Sequence, residues 1–472
     1  MKPNILWICT DQQRFDTVAS LGNPHIRTPR IDGLVASGLA FTHAYCQSPI
    51  CTPSRSSFLT GMYPSTVHGC ANGNDTWDDA APLVTRLLAD AGYDCGLAGK
   101  LHLAGAHGRV EPRGDDGYRV FKWSHDPRDQ WPDGHAYKAW LAEKGYDLGG
   151  MRQDPASIPP DLHQTSWCAT EAISFVEEER KGPWLMSVNM FDPHAPFDPP
   201  QAYADRYDPA TLPGPLFRES DLENQERLSG VDFQNKGRTP EEMDAQDTQA
   251  KYYAMIELVD YNVGRMLDAL EESGQKDNTL VIFMSDHGET LGDHGLMLKG
   301  CRFNEGLVRV PLIVSGAGVE VSGRRHDGLV ELTDIAPTLL ESAGLDIPER
   351  MQGRSLLPLF SDPANHESVP ANHESVRAHR DSVRCEYYRA LPPVKDGMVG
   401  SYATMYRDQR YKLCVYHGHD FGELYDLECD PEEFENLWES EPHRDVRMDL
   451  MKRSFDATAL AVDYGPKQTT MF

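Results

Sequence analysis

The amino-acid sequence predicts an α/β fold, in which helices cover a largely parallel β-sheet and a smaller α+β unit follows at the C-terminal end. Apolar runs without alternation are typical of strands buried on both faces, and they lie at 4–10, 184–190, 279–284 and 311–314. Apolar residues spaced three and four positions apart indicate helices between these runs, at 28–37, 82–92, 247–272 and 333–344.

Three of the four predicted strands are followed by polar residues that can catalyse reactions or bind metals. Asp11 directly follows the first run, and His194 comes shortly after the second. Asp286 and His287 follow the third. Because open α/β sheets place their sites at the carboxyl ends of the strands, we expect these side chains to share one site.

The chain after about residue 350 shows a different pattern. Segments rich in Tyr, Val and Arg indicate short strands within 402–416, and an acidic segment at 431–457 is predicted to be helical. We therefore expect two domains, 1–350 with the large sheet and 351–472 with a small antiparallel sheet, a helix and a tail. A heptapeptide occurs twice in succession at 363–376, and two copies are too few for a solenoid, so we expect a surface loop there.

The charge of the chain excludes two classes of partner. The chain has 45 basic and 73 acidic residues, a formal net charge of −28, which repels nucleic acid and anionic membranes at long range. No apolar run reaches the roughly 18 residues that span a bilayer, and the N-terminal segment lacks the features of a secretory signal. We therefore expect a soluble, cytoplasmic protein. Its ten cysteines include no Cys-x-x-Cys pair, which argues against a zinc ribbon.

One cysteine lies in a distinctive segment, Cys51-Thr52-Pro53-Ser54-Arg55. A lone cysteine is usually a buried structural thiol, but a position near a helix N-terminus favours an anion. The pentapeptide resembles the activation signature Cys-x-Pro-x-Arg of the sulfatase family, in the alkaline-phosphatase superfamily. The resemblance implies that a formylglycine-generating enzyme oxidises Cys51 to formylglycine, an aldehyde that hydrates to a geminal diol.

The resemblance extends almost from end to end of the chain. The blocks that match the family, in the same order, are the opening strand with 28–32, then 98–102, 285–289 with 295–299, 333–340 and 423–427. The resemblance implies an alkaline-phosphatase-like fold, a large mixed and mostly parallel sheet sandwiched by helices. It also assigns the catalytic role to the domain at 1–350.

The strand ends predict a site for one divalent metal ion. Asp11, Asp286 and His287, with an oxygen of residue 51, offer hard ligands. Gln12 stands where many relatives carry a second aspartate, and its amide oxygen can still coordinate. His287 departs from the asparagine of many arylsulfatases and resembles the branch of choline sulfatase and phosphonate monoester hydrolase. Because imidazole suits manganese better than calcium, we expect Mn²⁺, with Ca²⁺ as the alternative.

Cationic residues of the motifs have roles that the family implies. Arg55 lies one helical turn from Cys51, so it can hold the diol in place. Lys100 and His102 alternate along an extended segment and therefore share a face. The resemblance implies that Lys100 binds the sulfuryl group and that His102 is the base that expels sulfate.

The resemblance assigns three further residues to the substrate. His194 and Lys299 would contact the bridging oxygen and give the leaving group its proton. Asn72 matches an asparagine that contacts the substrate in this branch. Asn72 and His194 each have a structural alternative to a role in substrate binding. Asn72 can cap a loop, and His194 can cap the turn in which it lies.

The predicted function is hydrolysis of aryl or alkyl sulfate monoesters to an alcohol or phenol and inorganic sulfate. A phosphonate monoester or phosphodiester hydrolase is an alternative, although that branch tends to carry Tyr and Thr in place of Lys100 and His102. A protein whose Cys51 stays a thiol, binding a metal and an anion without catalysis, is the third possibility. The leaving group stays open between choline, aryl and sugar. Relatives imply a dimer or tetramer formed through a tail such as 457–472.

Overall fold

The computed structural model describes residues 2–77, 81–128, 130–232, 234, 236–361, 379–391 and 401–462. The repeat at 363–376 and the tail from residue 463 onward, on which two of the predictions rest, lie outside the described residues. No helix among the described residues is long and apolar enough to cross a membrane.

The described part of the N-terminal region forms one eight-stranded sheet. Its strands are β1 (Asn4–Thr10), β2 (Leu39–Tyr45), β3 (Asp94–Gly99), β4 (Val120–Trp123), β5 (Trp184–Asn189), β6 (Thr279–Ser285), β7 (Arg309–Gly316) and β8 (Arg324–Glu331). They are arranged in the order β4-β3-β5-β1-β6-β7-β2-β8. β7 runs antiparallel to β6 and β2, whereas the other neighbours are parallel. The sheet is therefore mixed and mostly parallel, as predicted.

The central strand β1 shows why its sequence is apolar throughout. Ile5 and Trp7 point into the hydrophobic core on one side of the sheet, and Leu6 and Ile8 point into the core on the other. All seven residues of β1 are buried. Polar and apolar residues do not alternate along β1, because both faces of the strand are covered.

Twelve α-helices occur within the described residues. They are α1 (Pro29–Ser37), α2 (Cys51–Thr60), α3 (Val84–Asp90), α4 (Ala136–Glu143), α5 (Leu148–Met151), α6 (Gln164–Glu177), α7 (Gln201–Ala204), α8 (Glu219–Arg227), α9 (Ala245–Glu272), α10 (Glu305–Val308), α11 (Ile335–Ser342) and α12 (Arg444–Leu460). The four helices predicted from spacing correspond to α1, α3, α9 and α11. The longest, α9, packs against α1, α6 and α7.

A second, antiparallel sheet of four strands follows near the C-terminal end. Its strands are β9 (Val383–Tyr388), β10 (Tyr402–Arg407), β11 (Tyr411–Tyr416) and β12 (Gly422–Asp426), in the order β12-β11-β10-β9. A buried ion pair between Arg380, just before β9, and Asp334, just before α11, connects it to the larger part of the molecule. The division of the chain at residue 350 stays a prediction.

The predicted C-terminal helix is shorter than expected. We predicted helix over 431–457, but α12 begins only at Arg444. The preceding segment is held in irregular structure, where Asn436 accepts a hydrogen bond from the backbone of Leu424 and Pro442 occupies a short 3₁₀ turn. Proline fits the first turn of a helix, so α12 can start directly after it.

Candidate active site

Cys51 is the first residue of α2 and lies at the floor of a cavity of about 720 Å³. The helix tolerates Pro53 because the first backbone N–H groups of a helix have no partner within it. It ends at Gly61, whose left-handed φ of 69° lets its N–H bond the carbonyl of Ser57. Every residue of α2 is buried and Cys51 is only 1% exposed, so its surroundings are fixed.

Three residues from two neighbouring strands meet at Cys51. Asp11 follows β1, and Asp286 and His287 follow β6, which pairs with β1 in parallel through Thr10 and Ser285. One potential ligand atom from each of these residues and from Cys51 lies within 4.8 Å of the others, and all four residues are buried. The structure therefore brings together the predicted cluster around residue 51.

The ring of His287 is oriented as a metal-binding histidine requires. Its Nδ1 lies 2.8 Å from the carbonyl oxygen of Gly288, to which it donates. Nε2 faces the cluster, 3.2 Å from Sγ of Cys51 and 3.8 and 3.9 Å from carboxylate oxygens of Asp11 and Asp286. A hydrogen bond at Nδ1 leaves the lone pair on Nε2 for a cation, so the donor set fits a divalent metal ion.

Arg55 neutralises the two buried carboxylates of this cluster. Its guanidinium donates to Asp286 at 2.9 Å, to Asp11 at 3.3 Å and to the carbonyl oxygen of Lys100 at 2.8 Å. Burial raises the pKa of the Asp11 carboxyl, but the nearby cations outweigh burial and hold it below its usual value. The guanidinium of Arg55 thus fixes both carboxylates in position, and the carboxyl of Asp11 stays ionised.

Lys100 and His102 approach residue 51 from the end of β3. The ammonium group of Lys100 donates to Asp11, and the imidazole of His102 lies beside the Cys51 side chain. Burial lowers the pKa of His102 to about 4, so the ring is neutral at neutral pH. Both side chains line the cavity, although the segment is not extended as predicted, because β3 ends at Gly99 and His102 has a left-handed φ of 58°.

Lys299 and His194 lie on another side of Cys51. Nζ of Lys299 is 3.3 Å from Sγ of Cys51 and 2.5 Å from Nε2 of His194. Burial raises the pKa of the Cys51 thiol, yet Lys100, Lys299 and His287 together lower it well below its usual value. The surroundings of residue 51 therefore favour negative charge.

Gln12 and Asn72 also border this group. The amide oxygen of Gln12 accepts a hydrogen bond from Lys299 at 2.6 Å, and its Nε2 donates to Glu289. Coordination of a metal ion by Gln12 stays a prediction. Asn72 lines the cavity, and its Oδ1 accepts a hydrogen bond from the backbone N–H of Thr52 at 3.1 Å. It therefore satisfies a free N–H group in the first turn of α2, whatever it does for a substrate.

The comparison with known protein families agrees with this site. A family model described as Sulfatase matches residues 3–345. The chain belongs to the sulfatase family. A second model, described as N-sulphoglucosamine sulphohydrolase, C-terminal, matches residues 292–459.

Individual relatives of this sulfatase cover most of its length. An arylsulfatase from Clostridium perfringens is 32% identical over 389 residues, 77% of this chain and 79% of the relative. A choline-sulfatase from Rhizobium meliloti is 29% identical over 459 residues, 93% of this chain and 83% of the relative. The crystal structure of a phosphonate monoester hydrolase from Agrobacterium radiobacter matches with a TM-score of 0.80 at 26% identity, covering 98% of this chain and 96% of that one. These matches confirm the predicted family, its fold and its enzyme class, the sulfuric ester hydrolases.

The structure adds residues that the sequence analysis did not single out. His125, Asp126 and Arg128 follow β4 and line the cavity of this sulfatase. Glu111 is buried and accepts hydrogen bonds from the backbone N–H groups of His102 and Leu103, at 2.6 and 3.1 Å. The position of His125 and Asp126 after a strand was a usable signal, because the same signal identified Asp11. Nothing local in the sequence marks Glu111.

Proposed function

We propose that this sulfatase hydrolyses sulfate monoesters of aryl or alkyl alcohols, with formylglycine at position 51 and one divalent metal ion. The observation that carries the proposal is the position of Cys51, buried between the cluster of Asp11, Asp286 and His287 and the ammonium group of Lys299. The relatives named arylsulfatase and choline-sulfatase support sulfate esters as the substrate class.

The residues around residue 51 fit a polar group there better than an inert thiol. Sγ lies within 3.7 Å of Asp11, His287 and Lys299, and it also contacts His102. Formylglycine supplies a hydrated aldehyde as the nucleophile, and these four residues would hold its hydroxyl groups. An apolar pocket, which is the usual setting of a structural cysteine, is not what surrounds this one.

Asp11, Asp286, His287 and residue 51 would hold the metal ion, which supplies Lewis-acid stabilisation of charge on oxygen. One imidazole and two carboxylates suit Mn²⁺ better than Ca²⁺, so we propose Mn²⁺. Arg55 donates to both carboxylates, so we assign to it the positioning of these ligands, through which it acts on residue 51.

The remaining side chains bind the sulfuryl group and move protons. Lys100 and Lys299 place two ammonium groups at the floor of the cavity, where they can bind sulfuryl oxygens and stabilise charge in the transition state. His102 is neutral and contacts residue 51, so its ring can accept a proton there. Nζ of Lys299, held by His194, can donate a proton to the leaving oxygen. In this proposal a maturation enzyme that oxidises Cys51 is the necessary partner.

Phosphonate monoester hydrolysis is the second candidate, because the Agrobacterium radiobacter enzyme shares the fold over 98% of this chain. We place it behind sulfate ester hydrolysis on the basis of Lys100 and His102. The ammonium groups of Lys100 and Lys299 can bind two sulfuryl oxygens, and the neutral ring of His102 suits the elimination of sulfate. The ratio of kcat/KM for an aryl sulfate and for a phosphonate monoester measures the difference in transition-state binding directly.

The first test is the mass of the tryptic peptide 31–55 from protein made in a host that can oxidise such cysteines. The peptide also contains Cys46, which alkylation labels as an internal control. We expect the aldehyde or its hydrate at position 51, and sulfate release that the Cys51→Ala variant lacks. The exposed Cys429 offers a matched control, Cys429→Ala, which should keep full activity. Normal turnover by Cys51→Ala would refute the proposal.

A further inference from the structure

We infer that the leaving group of this sulfatase is a sugar, recognised by a hydrophilic and charge-balanced wall above the sulfuryl site. The inference rests on the proposed function and narrows its substrate class. It starts from the cavity above Cys51, whose floor is formed by the residues already assigned to the sulfuryl group. The wall between this floor and solvent is the part of the cavity that can contact the leaving group.

The wall is built almost entirely from polar side chains. Its charged and imidazole side chains are Asp75, His107, Arg109, His125, Asp126 and Arg128. Among the described residues that line the cavity, none carries a phenyl, phenol, indole or branched aliphatic side chain. The indole rings of Trp123 and Trp131 pack against His125 but are themselves buried, 1% and 3% exposed.

The charges of the wall cancel. Asp75 and Asp126 carry two negative charges, and Arg109 and Arg128 carry two positive ones. Arg128 is paired with Asp126, with Nε 2.9 Å from Oδ1. A leaving group bound here therefore needs no net charge of its own.

Both guanidinium groups are held in place before a substrate arrives. Arg109 donates from Nε to the carbonyl oxygen of Gly105 at 2.7 Å and from Nη2 to that of Asp75 at 2.9 Å. Arg128 also reaches the carbonyl oxygen of Ala195 at 3.5 Å. Donors and acceptors fixed at the rim suit a ligand that carries several hydroxyl groups, because each hydroxyl both donates and accepts.

The same wall disfavours the two other leaving groups that the sequence left open. A phenol gains binding energy from apolar surface and from phenyl or indole rings, whereas the rings of the described wall are the polar imidazoles of His107 and His125. A quaternary ammonium such as choline is bound by phenyl, phenol or indole rings or by net negative charge, and the described wall offers neither. A sugar matches it in polarity and in charge.

A second cavity lies next to the first. It has a volume of about 700 Å³, shares Arg128 with the first and is bordered by Trp131 and Leu148 as well as by polar side chains such as Gln130, Lys138 and Asp147. Each of the two volumes lies in the range that holds a small ligand. The sulfated sugar can therefore carry a second sugar residue, placed past Arg128.

The test compares substrates and one arginine substitution in the matured enzyme. Sulfate release is measured from hexoses and N-acetylhexosamines sulfated at each hydroxyl, from sulfated disaccharides, from choline sulfate and from 4-nitrophenyl sulfate. For the best saccharide, Arg128→Gln should lower kcat/KM at least about tenfold more than for 4-nitrophenyl sulfate. The matched control is Arg119→Gln, because Arg119 is also half exposed and paired with an aspartate, Asp94, but lies outside the cavity. Arg119→Gln should leave kcat/KM unchanged for the saccharide sulfate and for 4-nitrophenyl sulfate.

The outcomes separate the two proposals. Hydrolysis of a saccharide sulfate with the expected shift in selectivity supports the inference. If the enzyme hydrolyses choline sulfate or an aryl sulfate but no saccharide sulfate, a sugar is ruled out as the leaving group, and the proposed function still stands. An equal loss on the saccharide and on 4-nitrophenyl sulfate in Arg128→Gln also overturns the wall as a sugar site. No sulfate from any ester, with position 51 shown to be formylglycine, overturns both.

Discussion

Nζ of Lys299 lies 2.5 Å from Nε2 of His194, so the ammonium group donates a hydrogen bond to the imidazole. Nδ1 of the same ring lies 2.6 Å from the carbonyl oxygen of Ala195, a contact that requires a proton on Nδ1. The two contacts fix the tautomer of His194. They support the proposal that Lys299 carries the proton to the leaving group and that His194 orients it.

This division of roles predicts that the effect of Lys299→Ala depends on the leaving group. Alkyl alcohols need a proton to leave, whereas 4-nitrophenol leaves readily as an anion. We expect kcat/KM to fall about 100- to 10,000-fold for an alkyl sulfate and at least about tenfold less for 4-nitrophenyl sulfate. The exposed Lys276 provides the control, Lys276→Ala. Equal losses on both esters would show that Lys299 acts only through its charge.

Arg55 should be required for stability as well as for metal binding. Arg55→Gln leaves the buried carboxylates of Asp11 and Asp286 without their shared guanidinium. Breaking a buried ion pair costs about 3–5 kcal/mol, so the free energy of unfolding measured in urea should fall by that amount. The surface pair of Arg30 with Asp268 is the contrast, and Arg30→Gln should cost less than about 1 kcal/mol. Bound metal should decrease in the Arg55 variant alone.

The choice of metal ion should depend on His287. Chelation should abolish sulfate release by the purified enzyme, and Mn²⁺ should restore it at lower concentration than Ca²⁺. In His287→Asn an amide oxygen replaces the imidazole, which should shift this preference toward Ca²⁺ by about tenfold or more. The exposed His25, changed to Asn, should leave the preference as it is. Titration of the metal-free proteins with each ion measures it, and an unchanged ratio in His287→Asn would contradict a ligand role.

Asp192 should make the stability of the protein depend on pH. Burial raises the pKa of this carboxyl to about 7, whereas the unfolded chain ionises near pH 4. The stability that the protonated carboxyl contributes is therefore complete below about pH 4 and is lost as pH rises through 7. Asp192→Asn cannot ionise, so relative to the unchanged protein it should gain about 4 kcal/mol between pH 4 and pH 8.

Urea unfolding of both proteins at these two pH values measures the difference. The exposed Asp205→Asn is the control, and its difference in stability from the unchanged protein should be the same at both pH values. A constant difference between Asp192→Asn and the unchanged protein would show that the carboxyl titrates alike in the folded and unfolded chains.

The parts of the site that depend on strand ends and short motifs could be predicted from the sequence. Asp11, Asp286 and Cys51 each stand at the end of a strand or the start of a helix, so local pattern fixed their place. The antiparallel direction of β7 could not be predicted, because a strand buried on both faces is apolar whichever way it runs. Glu111 was missed because its contact with His102 is set by tertiary packing of an irregular segment.

In the proposed function, the burial of Cys51 requires its oxidation to precede closure of the fold. In the folded protein this thiol is 1% exposed, so an oxidising enzyme would reach it only while the chain around it is still open. Its contacts His287 and Lys299 lie 236 and 248 positions later in the sequence. At about 5–20 residues per second, the ribosome takes roughly ten to fifty seconds to deliver them. Under the proposed function, translation itself would provide the interval for maturation, and a chain that folds first would keep an unmodified thiol inside.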